Sequence, residues 1–134
     1  MRKNNSKFNA ISAFTDLSKM LEDSNNEILR LYSEDLAKIP YDSKNYRLKI
    51  NSYDLEQLLR CHIENFGAFL KTTPIETMLF VAIYSVETVR SSAVDIRDIT
   101  KFFGISNIDF LMVKNSMYSL LQKGLIRMVE RRHR

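Results

Sequence analysis

The sequence predicts a mainly α fold: an N-terminal helical extension packed on a winged-helix core, that is, a helix-turn-helix followed by short strands. Three observations predict it. Only three glycines and two prolines occur in 134 residues, which leaves little material for hairpins. Thr73-Pro74-Ile75-Glu76 then opens a long apolar stretch with the residue order of a helix start. Last, two amphipathic runs, Asp95 to Phe103 and Asn107 to Lys123, flank the tight turn Gly104-Ile105-Ser106, and Gly124 and the apolar Leu125-Ile126-Arg127-Met128-Val129 follow them. That final run reads as a wing strand. A second strand is needed to close the wing, and Arg134 comes before one can form. The expectation is either a vestigial wing or the first piece of a longer protein. Residues 1–72 are then the helical extension and residues 73–134 the core with a basic tail, together one unit.

The elements follow in order. Residues 1–7 are polar and are expected to be disordered. From Phe8 to Leu21, Ile11, Phe14, Leu17, Met20 and Leu21 fall on one helical face, and Glu22 to Asn26 breaks the pattern. Ser24 and Glu27 have capping-box spacing, and Ile28, Leu29, Leu31, Tyr32, Leu36 and Ile39 continue as a second helix. Pro40 stops it, because the residue before proline is pushed out of the helical region. Tyr46, Leu48 and Ile50 alternate with Arg47 and Lys49, the pattern of a short strand or an extended connection. Ser52 caps a third helix through Leu55, Leu58, Leu59, Ile63, Phe66 and Leu70, and Gly67 inside it marks a close helix crossing or a kink.

The helix from Pro74 to about Val89 is apolar on most sides, so it is expected at the centre. Its longest apolar run, Met78 to Tyr84, is too short to span a bilayer, and no membrane partner is expected. In the next helix Ile96, Ile99 and Phe102 or Phe103 should face inward, and Gly104 should supply a left-handed turn. Ser106 and Asp109 have capping-box spacing, with Phe110, Val113, Met117, Leu120 and Leu121 as the buried stripe of a single helix reaching Lys123.

Composition narrows the class. Hydrophobic residues make up 45% of the chain and charged residues 27%, ordinary values for a globular protein. A lone cysteine, Cys61, rules out an internal disulfide and suits the cytoplasm. The N-terminus lacks the apolar segment of a signal peptide. Residues 123–134 hold Lys123, Arg127, Arg131, Arg132 and Arg134 against Glu130 alone, a net of +4 that equals the formal charge of the whole chain. The pI of 9.2 therefore describes a tail and not a basic domain. Such a tail can bind phosphates or be a solvated segment, and the solvated reading is the commoner one.

Catalytic signals are few. Glycines stand only at 67, 104 and 124, so there is no phosphate-binding glycine loop. Cys61 and His62 are neighbours on a helix and point about 100° apart, which keeps them from acting as a nucleophile and its base. No histidine, cysteine and carboxylate set has metal-ligand spacing, and no cofactor is expected. The outward face of the Asn107–Lys123 helix is expected to show Asp109, Met112, Ser116, Ser119 and Lys123, with Lys114, Asn115 and Gln122 at its edges. A DNA reader would use Asn107, Lys114, Asn115 and Lys123 in the groove and Arg127, Arg131, Arg132 and Arg134 on phosphates. The acidic start at Asp109 opposes phosphate, and an exposed Met112 hints at protein contact, with core packing as its commoner role.

The segment from Thr73 to Arg134 resembles the winged-helix domain found ahead of the ATPase core in a group of bacterial AAA-family proteins. The resemblance is carried by Thr73-Pro74-Ile75-Glu76-Thr77-Met78-Leu79-Phe80, Asp98-Ile99-Thr100-Lys101-Phe102-Phe103, Asn107-Ile108-Asp109-Phe110-Leu111 and Leu120-Leu121-Gln122-Lys123-Gly124-Leu125-Ile126-Arg127, with the Arg131-Arg132 tail. It covers the C-terminal half well and the first half only loosely. It implies a non-catalytic front domain that holds a protein partner or nucleic acid or regulates the ATPase ring, with the ATP-binding motifs beyond residue 134. No catalytic residue carries over. The sequence reading is therefore a binding or regulatory module whose partner is another protein or the rest of a longer polypeptide. A small winged-helix regulator binding double-stranded DNA is the alternative.

Overall fold

Asn9 starts the first helix: its side-chain oxygen accepts from Ser12 N–H at 3.0 Å, the geometry that satisfies an orphan donor at a helix start. The computed structural model describes residues 9–24, 27–32, 53–90, 93–111 and 113–129. The helices are α1 Ala10–Ser24, α2 Glu27–Tyr32, α3 Tyr53–Leu70, α4 Pro74–Arg90, α5 Ile96–Phe103, α6 Asn107–Phe110 and α7 Lys114–Gln122. No strand or sheet occurs among the described residues, which overturns the winged-helix core expected from the sequence.

Two departures explain that correction. The expected single helix from Asn107 to Lys123 is broken between Phe110 and Lys114, where Val113 takes φ −120° and ψ 3°. Phe110 and Val113 are both buried, so the two pieces share inward anchors across the break. The expected wing strand, Leu125 to Val129, pairs with no strand among the described residues. Instead Leu125 N–H turns back to the Leu120 carbonyl (3.1 Å) and Gly124 N–H to that of Leu121 (3.1 Å), closing α7 with a Schellman motif. The Leu125 carbonyl accepts from the Tyr84 hydroxyl at 3.2 Å. Backbone groups that find such partners have no need of a strand ladder.

α4 is the central helix, as its apolar surround predicts. Met78, Leu79, Val81 and Ala82 are fully buried, and the helix packs against α1, α2, α3, α5 and α7. Leu17 and Leu21 of α1, Ile63 and Phe66 of α3, Ile99 and Phe103 of α5, and Leu120 of α7 join it in one core. Ile11, expected on the inward face of α1, is exposed, and so is Ile96 of α5. Both sit in the first turn of their helices, where less of the fold covers them. The hydroxyls of Ser18 and Ser85 meet to join α1 to α4. Arg60 lies over the Tyr32 ring at 4.9 Å while donating to Glu56 (3.0 Å), which seats α2 on α3.

Local caps agree with the sequence. Gly104 takes φ 65° and ψ 37°, the left-handed turn. Asp109 N–H donates to Ser106 Oγ at 3.1 Å, in the expected box. Asp95 and Asp98 form a further reciprocal box at the start of α5. The segment 33–52, with the expected strand at Tyr46 to Ile50 and the Ser52 cap, lies outside the described residues, as do the side chains of Ser24 and Glu27.

Candidate functional site

The polar centre of the fold lies where α3, α4 and α7 meet. α3 and α4 run at 87° to each other, joined through Lys71, Thr72 and Thr73. Thr73 caps α4 as predicted: Glu76 N–H donates to Thr73 Oγ1 (3.3 Å), and Glu76 Oε1 accepts from Thr73 N–H (3.0 Å). The same oxygen accepts from Lys123 Nζ at 2.6 Å, and that ammonium also donates to the Lys71 carbonyl at 3.1 Å. Lys123 thus joins the end of α7 to the α3–α4 corner, across 47 residues of sequence.

Glu76 is buried, at 5% exposure. Burial pushes its carboxyl up, but hydrogen bonds from Lys123, Ser119 and the Thr73 backbone, with the lysine charge, outweigh burial and hold it below the usual carboxylate range. Beneath the corner, Thr77 Oγ1 donates to the Thr73 carbonyl (2.8 Å) and pairs with Thr72 Oγ1 (2.7 Å). A Cβ at Gly67 would meet Thr77 Oγ1 at 2.8 Å, so this glycine serves the close helix crossing. The side chains of this corner satisfy one another. Its chemistry is that of a fastening.

The residues singled out in the sequence divide into three groups. Ser119 and Lys123 turn toward Glu76, their polar groups engaged within the fold. Lys114, Asn115 and Arg127 are exposed. Met112, Arg131, Arg132, Arg134 and the side chain of Asn107 lie outside the described residues.

The break before α7 resets which face looks outward. Within α7 the exposed residues are Lys114, Asn115, Tyr118 and Gln122, while Ser116 and Ser119 are half-buried. Tyr118 is 54% exposed and central to that face. Leu111, in the turn just before the helix, is 56% exposed. No proline or glycine marks the break, so a continuous helical period assigns the wrong face. The Glu76–Lys123 pair likewise had no local signature.

Cys61 is exposed and accepts a long contact from Asn65 Nδ2 (3.7 Å). Among the described residues no group of three or more His, Cys, Asp and Glu could hold a metal ion, and no single helix is long and apolar enough to cross a membrane. No family model, curated protein or solved structure matches the chain.

Proposed function

We propose that this chain is a non-catalytic binding or regulatory module that acts through protein contacts, with the outward face of α7 as its contact surface. The observation that carries the reading is an exposed tyrosine, Tyr118, on the α7 surface where nucleic-acid contacts were expected. Tyrosine is among the residues that contribute most at protein interfaces, since it brings large area with few rotatable bonds. Against DNA stands the engagement of Lys123 with Glu76 and Lys71, which removes one of the two α7 cations available for phosphates. Attachment to an AAA-type ATPase is the further part of the proposal. It rests on the Thr73 to Phe80 and Leu120 to Arg127 strings.

The test is a photo-crosslinking residue at position 118, used in cells that make the chain, alongside a titration against duplex DNA at low salt. Protein adducts that vanish when the crosslinker is moved to the buried position 120 are expected, without duplex binding. Duplex binding that falls steeply with salt, together with no adducts, would reverse the reading.

A further inference from the structure

The outward side of α3 carries a stripe of its own. Leu59, Ile63 and Phe66 turn inward to the core, where α3 packs against α1 and α4. Leu58 and Phe69 stay 50% and 57% exposed. Between them Asn65 is exposed and His62 half-buried. α3 is one continuous helix over this range. At about 100° per residue, positions 58, 62, 65 and 69 therefore fall within about 60° of one another, on a line about 16 Å long. The Phe69 ring is held on that line by stacking on Phe66, with centroids 6.2 Å apart.

This line is complementary to itself when reversed. In an antiparallel pair of α3 helices, Leu58 of one copy meets Phe69 of the other, and His62 meets Asn65. Each pair occurs twice, the pattern of an isologous contact. Apolar groups then cover apolar groups, and the polar pair sits at the centre. Asn65 donates its amide to Cys61 Sγ, which leaves its oxygen to accept from the imidazole. Charge sets the direction. Asp54 is exposed in the first turn of α3, and Lys71 is exposed just after its last residue. Reversal brings each Asp54 beside the other copy's Lys71, whereas a parallel pair would set like charges together, which disfavours binding. We infer that a second copy of this chain docks on α3, making an antiparallel two-fold dimer. The contact does not use α7 and stands apart from the partner-binding reading.

One helix pair makes a small interface, so the dimer belongs to high concentration. Sedimentation equilibrium of the full chain, from about 10 µM to about 1 mM, should show a monomer–dimer equilibrium. Leu58→Glu should weaken it about tenfold. Asp54→Lys and Lys71→Asp should each weaken it roughly two- to tenfold, as exposed ion pairs counted twice allow. The double variant Asp54→Lys with Lys71→Asp restores opposite charges and should recover most of the loss. All three positions are exposed, so unchanged circular dichroism is expected for each variant. A chain that stays monomeric over the whole range would overturn the inference. So would a dimer indifferent to Leu58→Glu and to both charge changes, since it would lie on another surface. Single charge changes that weaken the dimer without recovery in the double variant would overturn the antiparallel arrangement.

Discussion

Lys71 holds a backbone conformation that suits glycine. With φ at 62° it ends α3 in the left-handed region, where Thr72 N–H can reach the Gly67 carbonyl at 2.9 Å. A side chain there costs about 1–2 kcal/mol, and glycine gives part of that back through its freer unfolded chain. The Lys71 group that the fold uses is its carbonyl, which glycine keeps. Lys71→Gly should therefore raise stability by about 0.5–1 kcal/mol in urea unfolding, and no gain would mean that its side chain has a role of its own. Glu76 gives the pH dependence. Its carboxyl is held below the usual range in the folded chain, so its contribution is present above the unfolded value and lost as pH falls through the folded one. Glu76→Gln should cost about 1–3 kcal/mol near neutral pH, as expected for hydrogen bonds to a charged group. The gap between the two proteins should shrink as pH drops below the ordinary carboxylate value of about 4.3. A gap that stays constant with pH would show that the charge is immaterial.

At the level of elements, Gly67 and Gly124 act by different physics, and one pair of substitutions separates them. A methyl at Gly67 meets Thr77 Oγ1, an atom already held by hydrogen bonds, at 2.8 Å and the Thr72 carbonyl at 3.1 Å. Gly67→Ala should destabilise by about 1–3 kcal/mol, despite alanine's advantage of roughly 1 kcal/mol inside a helix. Gly124 has φ +75° with nothing within 4 Å of an added Cβ, so Gly124→Ala should carry only the backbone cost, about 1 kcal/mol. Adding Thr77→Ala should recover part of the Gly67→Ala loss and none of the Gly124→Ala loss; equal recovery would refute the steric account. Helix ends are where the sequence was most legible. The Thr73–Glu76 and Ser106–Asp109 boxes and the Gly104 turn are decided by residues within one turn of each other, and all were readable in advance. The break between Phe110 and Lys114 has no local signature, and the non-strand course of Leu125 to Val129 involves a tertiary partner, Tyr84, that no local pattern encodes. The outward face of α7 differs from the expected one for the same reason, since its phase follows from the break.

For the whole molecule, the question is whether the helices before and after Thr73 stand or fall together. α1 packs on α3 and α4 and also reaches α5, so Leu17 and Leu120 share a core although 103 positions separate them. Phe66 extends that continuity, its ring lying 6.4 Å from Phe14 and 6.2 Å from Phe80. Removing apolar volume from one end should therefore weaken the other, because close-packed side chains transmit the loss. Leu17→Ala is expected to lower global stability by about 2–5 kcal/mol, the range for a fully buried leucine that leaves a cavity. Hydrogen exchange then distinguishes one cooperative unit from two. In a single unit, protection of the α4 and α7 amides falls by the same free energy as that of α1. If α7 keeps its original protection while α1 and α3 lose theirs, the Thr73 junction divides two independently folding parts, and the Glu76–Lys123 pair holds together only the second.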